Sequence, residues 1–263
     1  MTRITEVHPQ AIVDPAANIG EGCVIGPFCV VGPKVTLHER VELKSHVIVT
    51  GDTEIGSDTV VFPFAVIGEV PQDLKFAGEK SVLRIGRRNR IREHVTMNVG
   101  TIAGGAATRI GDDGLFMAGC HIAHDAQIGD RVIVVNSAAI AGHCVLEDDV
   151  IIGGLCGIHQ WVRIGKGAII GALTMVTHDV IPYGLVQGTR GRLDGLNIVG
   201  LKRKDTSRAD IMALRAAFQM LAQGDGSFQD RAKRLGEEDD NSYVQEIIRF
   251  VQAGSDRSFL TPG

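Results

Sequence analysis

Stepping by six from Val13 meets an aliphatic residue every time: Ile19, Ile25, Val31, Leu37, Leu43, Val49, Ile55, Val61 and Ile67. The register returns at Ile85, Ile91 and Met97. It returns again, shifted, from Ile110 through Phe116, Ile122, Ile128, Val134, Ile140, Leu146, Ile152, Ile158, Ile164 and Ile170 to Val176. All 25 positions hold Ile, Leu, Val, Met or Phe, and glycine follows 11 of them, where 33 glycines in 263 residues would place about three. A period of six fits neither a helix nor a simply alternating strand. It predicts a short strand and a turn, with one side chain pointing inward on each face. Three such units close a triangular coil of about 18 residues, and stacked coils pair as parallel strands roughly 4.8 Å apart. The repeats predict about eight coils, a prism roughly 40 Å tall, with glycine relieving crowding where the chain bends. The fold class is all-β, a parallel β-helix.

The pattern resembles that of known hexapeptide prisms, and this resemblance, not the spacing, implies a left-handed coil, against the usual hand of parallel connections. Residues 69–84 and 98–109 leave the pattern and read as loops ejected from the prism. Long ordered loops in a compact domain usually carry function. The repeat stops near Pro182, and after a glycine-rich stretch the periodicity turns helical. Asp205, Thr206 and Ser207 offer N-caps for a helix through Ile211, Leu214, Ala217, Phe218 and Leu221, which Gly224 stops. Further on, Tyr243, Val244, Ile247, Ile248 and Val251 share one helical face before Gly254. The acidic run 237–240 reads as a solvated connection. The expected organisation is a β-helix over 1–190 and an α-helical domain over 191–263 that covers one end of the prism.

Composition narrows the function classes. Aromatics are 5% of the chain, so aliphatics must fill the core, and a net charge of −4 gives no global attraction to nucleic acid. No uninterrupted apolar stretch is long enough for a transmembrane helix, and the opening Met1–Glu6 lacks the apolar region of a secretory signal. Cys23, Cys29, Cys120, Cys144 and Cys156 are odd in number and show no CxxC spacing. They are expected to be free buried thiols, as in a cytoplasmic protein.

Chemistry gathers in the second repeat block, which carries His121, His124, His143 and His159, none at an inward position. With coils of about 18 residues these histidines rise along one edge of the prism. A flat-faced β-helix encloses little by itself, so grooves between neighbouring prisms of a trimer are the expected sites. His121 and His124 lack a supporting thiolate or carboxylate pattern, and no metal is expected. His124 beside Asp125 suggests a general base oriented by a carboxylate, and a histidine suits that role near neutral pH. Adjacent strand residues point to opposite faces, so this pairing requires a local bend. Arg84, Arg87, Arg88, Arg90 and Arg92, with Lys202-Arg203-Lys204, form local basic patches suited to phosphates or an acidic carrier.

The repeats, QDLKFAG at Gln72–Gly78, HIAHD at His121–Asp125, AGH at Ala141–His143, IHQ at Ile158–Gln160 and NIVGLKRK at Asn197–Lys204 run in order over nearly the whole chain. Together they resemble the bacterial UDP-N-acetylglucosamine O-acyltransferases, homotrimers with active sites between subunits that carry out the first step of lipid A synthesis. The resemblance implies transfer of an (R)-3-hydroxyacyl chain from acyl carrier protein to the glucosamine 3-hydroxyl of UDP-N-acetylglucosamine, with no metal or redox cofactor. It implies that His124 is the general base, Asp125 its partner and the Gly142 N–H an oxyanion donor. By the same match His121, His143, Gln160 and Asp73 contact sugar or acyl chain, Gln72 and Lys75 share the loop of Asp73, and His159 is a further groove histidine. Asn197 and Arg203 match contacts to the nucleotide end, with Lys204 beside them.

This chain departs from the familiar pattern at four places. Val199 stands where the motif has glutamate, Lys204 where it has arginine, and Asn98-Val99 where a His-Arg pair is familiar. Ala172 lies where a glycine in some members helps set the depth of the acyl pocket, which implies a shorter acyl chain. These changes leave a 3-amino sugar open as acceptor. Three other readings compete. One is the later N-acyltransferase of the same pathway, whose extra N-terminal uridine-binding domain contrasts with repeats that begin here by Val13. The others are a zinc carbonic anhydrase on the same prism and a non-catalytic structural β-helix.

Overall fold

A computed structural model describes residues 4–255 and 257–262; Met1–Arg3, part of the opening segment read above, lie outside the described residues. The hexapeptides build a left-handed parallel β-helix of three sheets with 11, 9 and 8 strands, here called the first, second and third. Inward residues pair coil upon coil. Leu43, Val61, Ile91, Phe116 and Val134 align in the first sheet. Val49, Ile67, Met97, Ile122 and Ile140 align in the second, and Leu37, Ile55, Ile85, Ile110 and Ile128 in the third. Of the 25 register positions only Val13 and Ile19, in the first coils, are not fully buried. Each buried aliphatic contributes about 1.5–3 kcal/mol, so these columns are the main support of the prism.

A second column lies two residues before the first, where Val41, Val47, Ala65, Cys120, Ala126, Ala138 and Cys144 are also buried. Space near the corners admits only small side chains. That explains the cysteines, all five of which are buried and free. Burial pushes the Cys120 and Cys144 thiols up to about 12.

Most corners turn through the residue three after an inward aliphatic, which adopts left-handed φ: 58° at His46, 62° at Asp58, 60° at Asp125, 62° at His143 and 67° at Trp161. The glycines that follow the aliphatics mostly do not make these turns. A Cβ at Gly20 would stand 2.6 Å from the His38 carbonyl carbon, one at Gly56 2.5 Å from that of Gly86, and one at Gly111 2.6 Å from that of Gly129. The crowding they relieve is between stacked coils, not at the bend itself.

Charges on the edge between the third and first sheets alternate and pair, Arg40 with Asp58, Arg88 with Asp113 and Arg131 with Asp149. Arg84 meets Asp52 at 2.8 Å, Arg87 meets Asp112 at 3.3 Å and Arg92 meets Glu93 at 3.0 Å. Four arginines of the expected basic patch are therefore locally neutralised. As exposed pairs, screened by solvent, they add little to stability.

Strands run into both ends of the expected loops, at Val66–Glu69, Val82–Ile85, Thr96–Asn98 and Ala107–Ile110. The ejected segments are therefore 70–81 and 99–106, and both leave the edge between the second and third sheets. The hairpin of Gly184–Gln187 and Arg192–Leu196 carries the first sheet across the expected division at 190/191. Helices follow: α1 (Ile198–Arg203), α2 (Arg208–Ala222, capped by Ser207), α3 (Phe228–Glu238) and α4 (Ser242–Gln252). Glu237 and Glu238 belong to α3, so only Asp239 and Asp240 of the acidic run lie in the connection. After α4 the chain returns to the prism, bridging Phe259 to Asp179 and Pro262 to Leu193. Arg163 secures this return. It pairs with buried Asp179 at 2.7 Å and lies over the Phe250 and Phe259 rings at 4.5 and 5.7 Å. No helix among the described residues is long and apolar enough to cross a membrane.

Candidate active site

The left-handed turn at Asp125 supplies the bend that the sequence required. It swings the carboxylate back so that Oδ2 accepts from His124 Nδ1 at 2.8 Å, with both residues buried. The carboxylate is held from the other side by the second loop. Thr101 donates its N–H to Oδ1 at 2.8 Å and its hydroxyl to Oδ2 at 2.6 Å, while the Asp125 N–H donates to Thr108 Oγ1 at 2.7 Å. A Cβ on Gly104 would lie 2.1 Å from the Asp125 carboxyl carbon. Only glycine lets this loop close on the carboxylate. With Nδ1 as donor, His124 keeps an Nε2 lone pair for a substrate proton.

Neighbouring coils complete the edge. His143 meets the His124 ring edge-on at 5.0 Å and stacks on Trp161 at 3.9 Å. Gly142 lies directly against the imidazole: a Cβ there would stand 2.5 Å from His124 Cε1 and 2.7 Å from Nε2. Its own N–H donates to no group among the described residues. His121 Nδ1 lies 2.7 Å from Thr96 Oγ1. Burial holds His121 below the usual imidazole range, with His124 adding to it. Burial likewise lowers His143, against the raising pull of Asp125. Both rings are therefore neutral at neutral pH. Gln72, Asn98, His121, His124, Gly142, His159 and Gln160 line one groove of about 360 Å³.

Trp161, Thr101 and Thr108 were not singled out from the sequence. Trp161 had a legible signal, since it falls 18 residues after His143 and so must stack on it. Thr101 and Thr108 had none, because the loop between them breaks the register. Donor atoms of His124, Asp125 and His143 lie within 4.8 Å of one another. Asp125, however, already accepts from Thr101 and from the His124 ring, an arrangement that orients a base.

Against proteins of known family, residues 179–260 match the model described as UDP-N-acetylglucosamine O-acyltransferase, domain 2, and residues 16–51 and 143–178 match the bacterial transferase hexapeptide repeats. The acyl-[acyl-carrier-protein]–UDP-N-acetylglucosamine O-acyltransferase of Paracoccus denitrificans is 68% identical over 77% of each chain. That of Agrobacterium fabrum is 45% identical over 98% of this chain and 96% of its own. The chain belongs to the UDP-N-acetylglucosamine O-acyltransferase family. It is an acyltransferase. A crystal structure of a UDP-N-acetylglucosamine acyltransferase superposes with a TM-score of 0.94 at 41% identity, covering 98% of this chain and 99% of the other. The enzyme from Campylobacter jejuni gives 0.93 at 34%, covering 98% and 100%.

The positions matched to this family do not all meet within one chain. Gln72 lines the groove with His124, so the first loop, which also carries Asp73, folds back over the histidine edge. Lys75 shares that loop, where its N–H donates to Asp73 Oδ1. Ala172 is exposed on a different edge, between the first and second sheets. Asn197, Arg203 and Lys204 line a separate cavity of about 400 Å³ on the third, against Tyr183 and Tyr243. There Asn197 is committed to structure. Its amide donates to the Gly167 carbonyl and accepts from the Gly200 N–H, capping α1. Lys204 pairs with Asp149 at 2.6 Å.

Proposed function

We propose that this acyltransferase moves an (R)-3-hydroxyacyl chain from acyl carrier protein to the 3-hydroxyl of UDP-N-acetylglucosamine, the first step of lipid A synthesis, and works as a homotrimer. The observation that carries the reading is the His124–Asp125 pair, buried, oriented from behind by Thr101 and open to a groove at Nε2.

In this mechanism His124 Nε2 takes the proton of the sugar hydroxyl as the oxygen attacks the thioester carbonyl. Asp125 stays ionised and steadies the imidazolium through Nδ1–H. The Gly142 N–H donates to the oxyanion of the tetrahedral intermediate. As the intermediate collapses the C–S bond breaks, and the imidazolium returns its proton to the departing thiolate. Neutral His121 and His143 keep other positive charge away from the base. The residues matched to acyl-pocket and nucleotide contacts stand on the other two edges, which supports a site completed by neighbouring chains.

The test is transfer from a panel of 3-hydroxyacyl carrier proteins to UDP-N-acetylglucosamine by wild type and His124→Ala. Transfer that falls about 10²–10⁴-fold in the variant supports the reading. No transfer from any donor sinks it. Light scattering tests the trimer, and a monomeric active enzyme rules it out.

A further inference from the structure

The returning tail places a charged group at the rim of the groove. Arg257 Nη2 lies 2.9 Å from His159 Nδ1, and Arg257 Nε donates to the Gln160 carbonyl at 3.1 Å. Its flanks are pinned. The Asp179 N–H donates to the Ser258 carbonyl and the Leu260 N–H to that of Asp179, while Phe259 packs among Phe228 and Phe250. A guanidinium has donors only, so the His159 nitrogen facing it must present its lone pair. The same Nδ1 lies 3.3 Å from the Gln160 carbonyl. A proton on Nδ1 would reach that oxygen only at long range and would point a second positive hydrogen toward the arginine.

We propose that Arg257 is a positioning residue, one that fixes His159 in the tautomer that carries its proton on Nε2. His159 thereby offers the groove a hydrogen-bond donor for an acceptor oxygen of the bound sugar nucleotide. The returning segment is then part of the active site, not only a cap on the prism. The tautomer follows from geometry alone. Its consequence for turnover rests on the transferase reading above.

Long-range proton–nitrogen correlation spectra of the ¹⁵N-histidine-labelled protein, without substrate, read the tautomer directly. The expected result is a proton on His159 Nε2 in wild type and in Arg257→Lys, and a mixed population in Arg257→Ala. A proton on Nδ1 in wild type overturns the proposal. In the transfer assay Arg257→Ala lowers kcat/KM roughly fivefold, mostly through KM for the nucleotide sugar, and Arg257→Lys recovers most of the loss. In a His159→Ala background Arg257→Ala costs nothing further. Additive losses would mean that Arg257 acts elsewhere, and the proposal fails. If wild type transfers nothing, the transferase reading fails while the tautomer is still decided by the spectra.

Discussion

Replacing Gly142 with alanine should disable the enzyme without unfolding it. The added methyl would stand 2.5 Å from His124 Cε1 and 2.7 Å from Nε2, where comfortable carbon contacts lie at about 3.5–4.0 Å. The ring must therefore retreat by about 1 Å, away from the position in which Asp125 holds it. A displacement of that size at a catalytic group costs about 10²-fold. Gly142 itself has ordinary φ, so the backbone accepts a side chain and the penalty is overpacking alone, about 1–3 kcal/mol. The expected outcome is a cooperative melt a few degrees lower, with kcat/KM down roughly a hundredfold. A His124→Ala background makes the test specific, because the methyl then enters vacated space and adds no further loss. Full activity in Gly142→Ala would refute the placement of the base. An equal further loss in the His124→Ala background would assign the effect to the Gly142 N–H instead of the imidazole.

Asp125→Asn, which removes the charge that steadies the imidazolium and leaves either the Thr101 N–H or His124 Nδ1–H facing an amide NH2, should reduce kcat about 10²–10⁴-fold. Thr101→Val, which removes one hydrogen bond to a charged group, should cost about 1.5–3 kcal/mol in urea unfolding; an unchanged midpoint counts against the loop's hold on Asp125. His121 and His143 have folded pKa values below the ordinary 6.5, so the unfolded chain binds more protons. Their contribution to stability is complete above about pH 6.5 and is lost as pH falls below it. Urea midpoints of wild type should drop across that window more steeply than those of His143→Gln, and parallel curves would refute it. Ala172→Gly should shift the preferred acyl carrier to a longer chain in a competition assay, whereas an unchanged profile would remove this residue from the acyl pocket.

The prism was legible because its core is periodic in one dimension. Each inward residue meets the residue one coil away, so spacing in sequence is spacing in space, and nearly every register position proved buried. The second interior column was overlooked because Val, Ala, Cys and Thr share it without a common hydrophobic signature. Corner conformation was equally silent. Phe28, Arg40, His46 and Leu155 all adopt left-handed φ, at roughly 1–2 kcal/mol each, because the stacked strands on both sides enforce the turn. The hairpin that crosses 190/191 gave no signal in the sequence because it is antiparallel and has no period of six. His124 and Asp125 were visible as neighbours. Of the residues that hold them, Thr101 comes from a loop whose path no repeat dictates, and Thr108 from the strand that follows it, in the second interior column.

The same corner rule explains why an edge carries the chemistry. Faces of the prism are spent on strand pairing, and inward positions are spent on aliphatics. At the turns side chains fan outward, one coil above another, so that Asp125, His143 and Trp161 form a column set by the 18-residue coil. The two ejected loops leave that edge as well, and each returns a group to it, Gln72 from the first and Thr101 from the second. A single prism thereby builds a base with its orienters but only one wall of a groove. The tail adds Arg257 at the rim, and the remaining family positions face away on the other two edges. A convex solid cannot turn three edges toward one substrate. Apposition of separate prisms can, which is the physical argument for a site shared between chains.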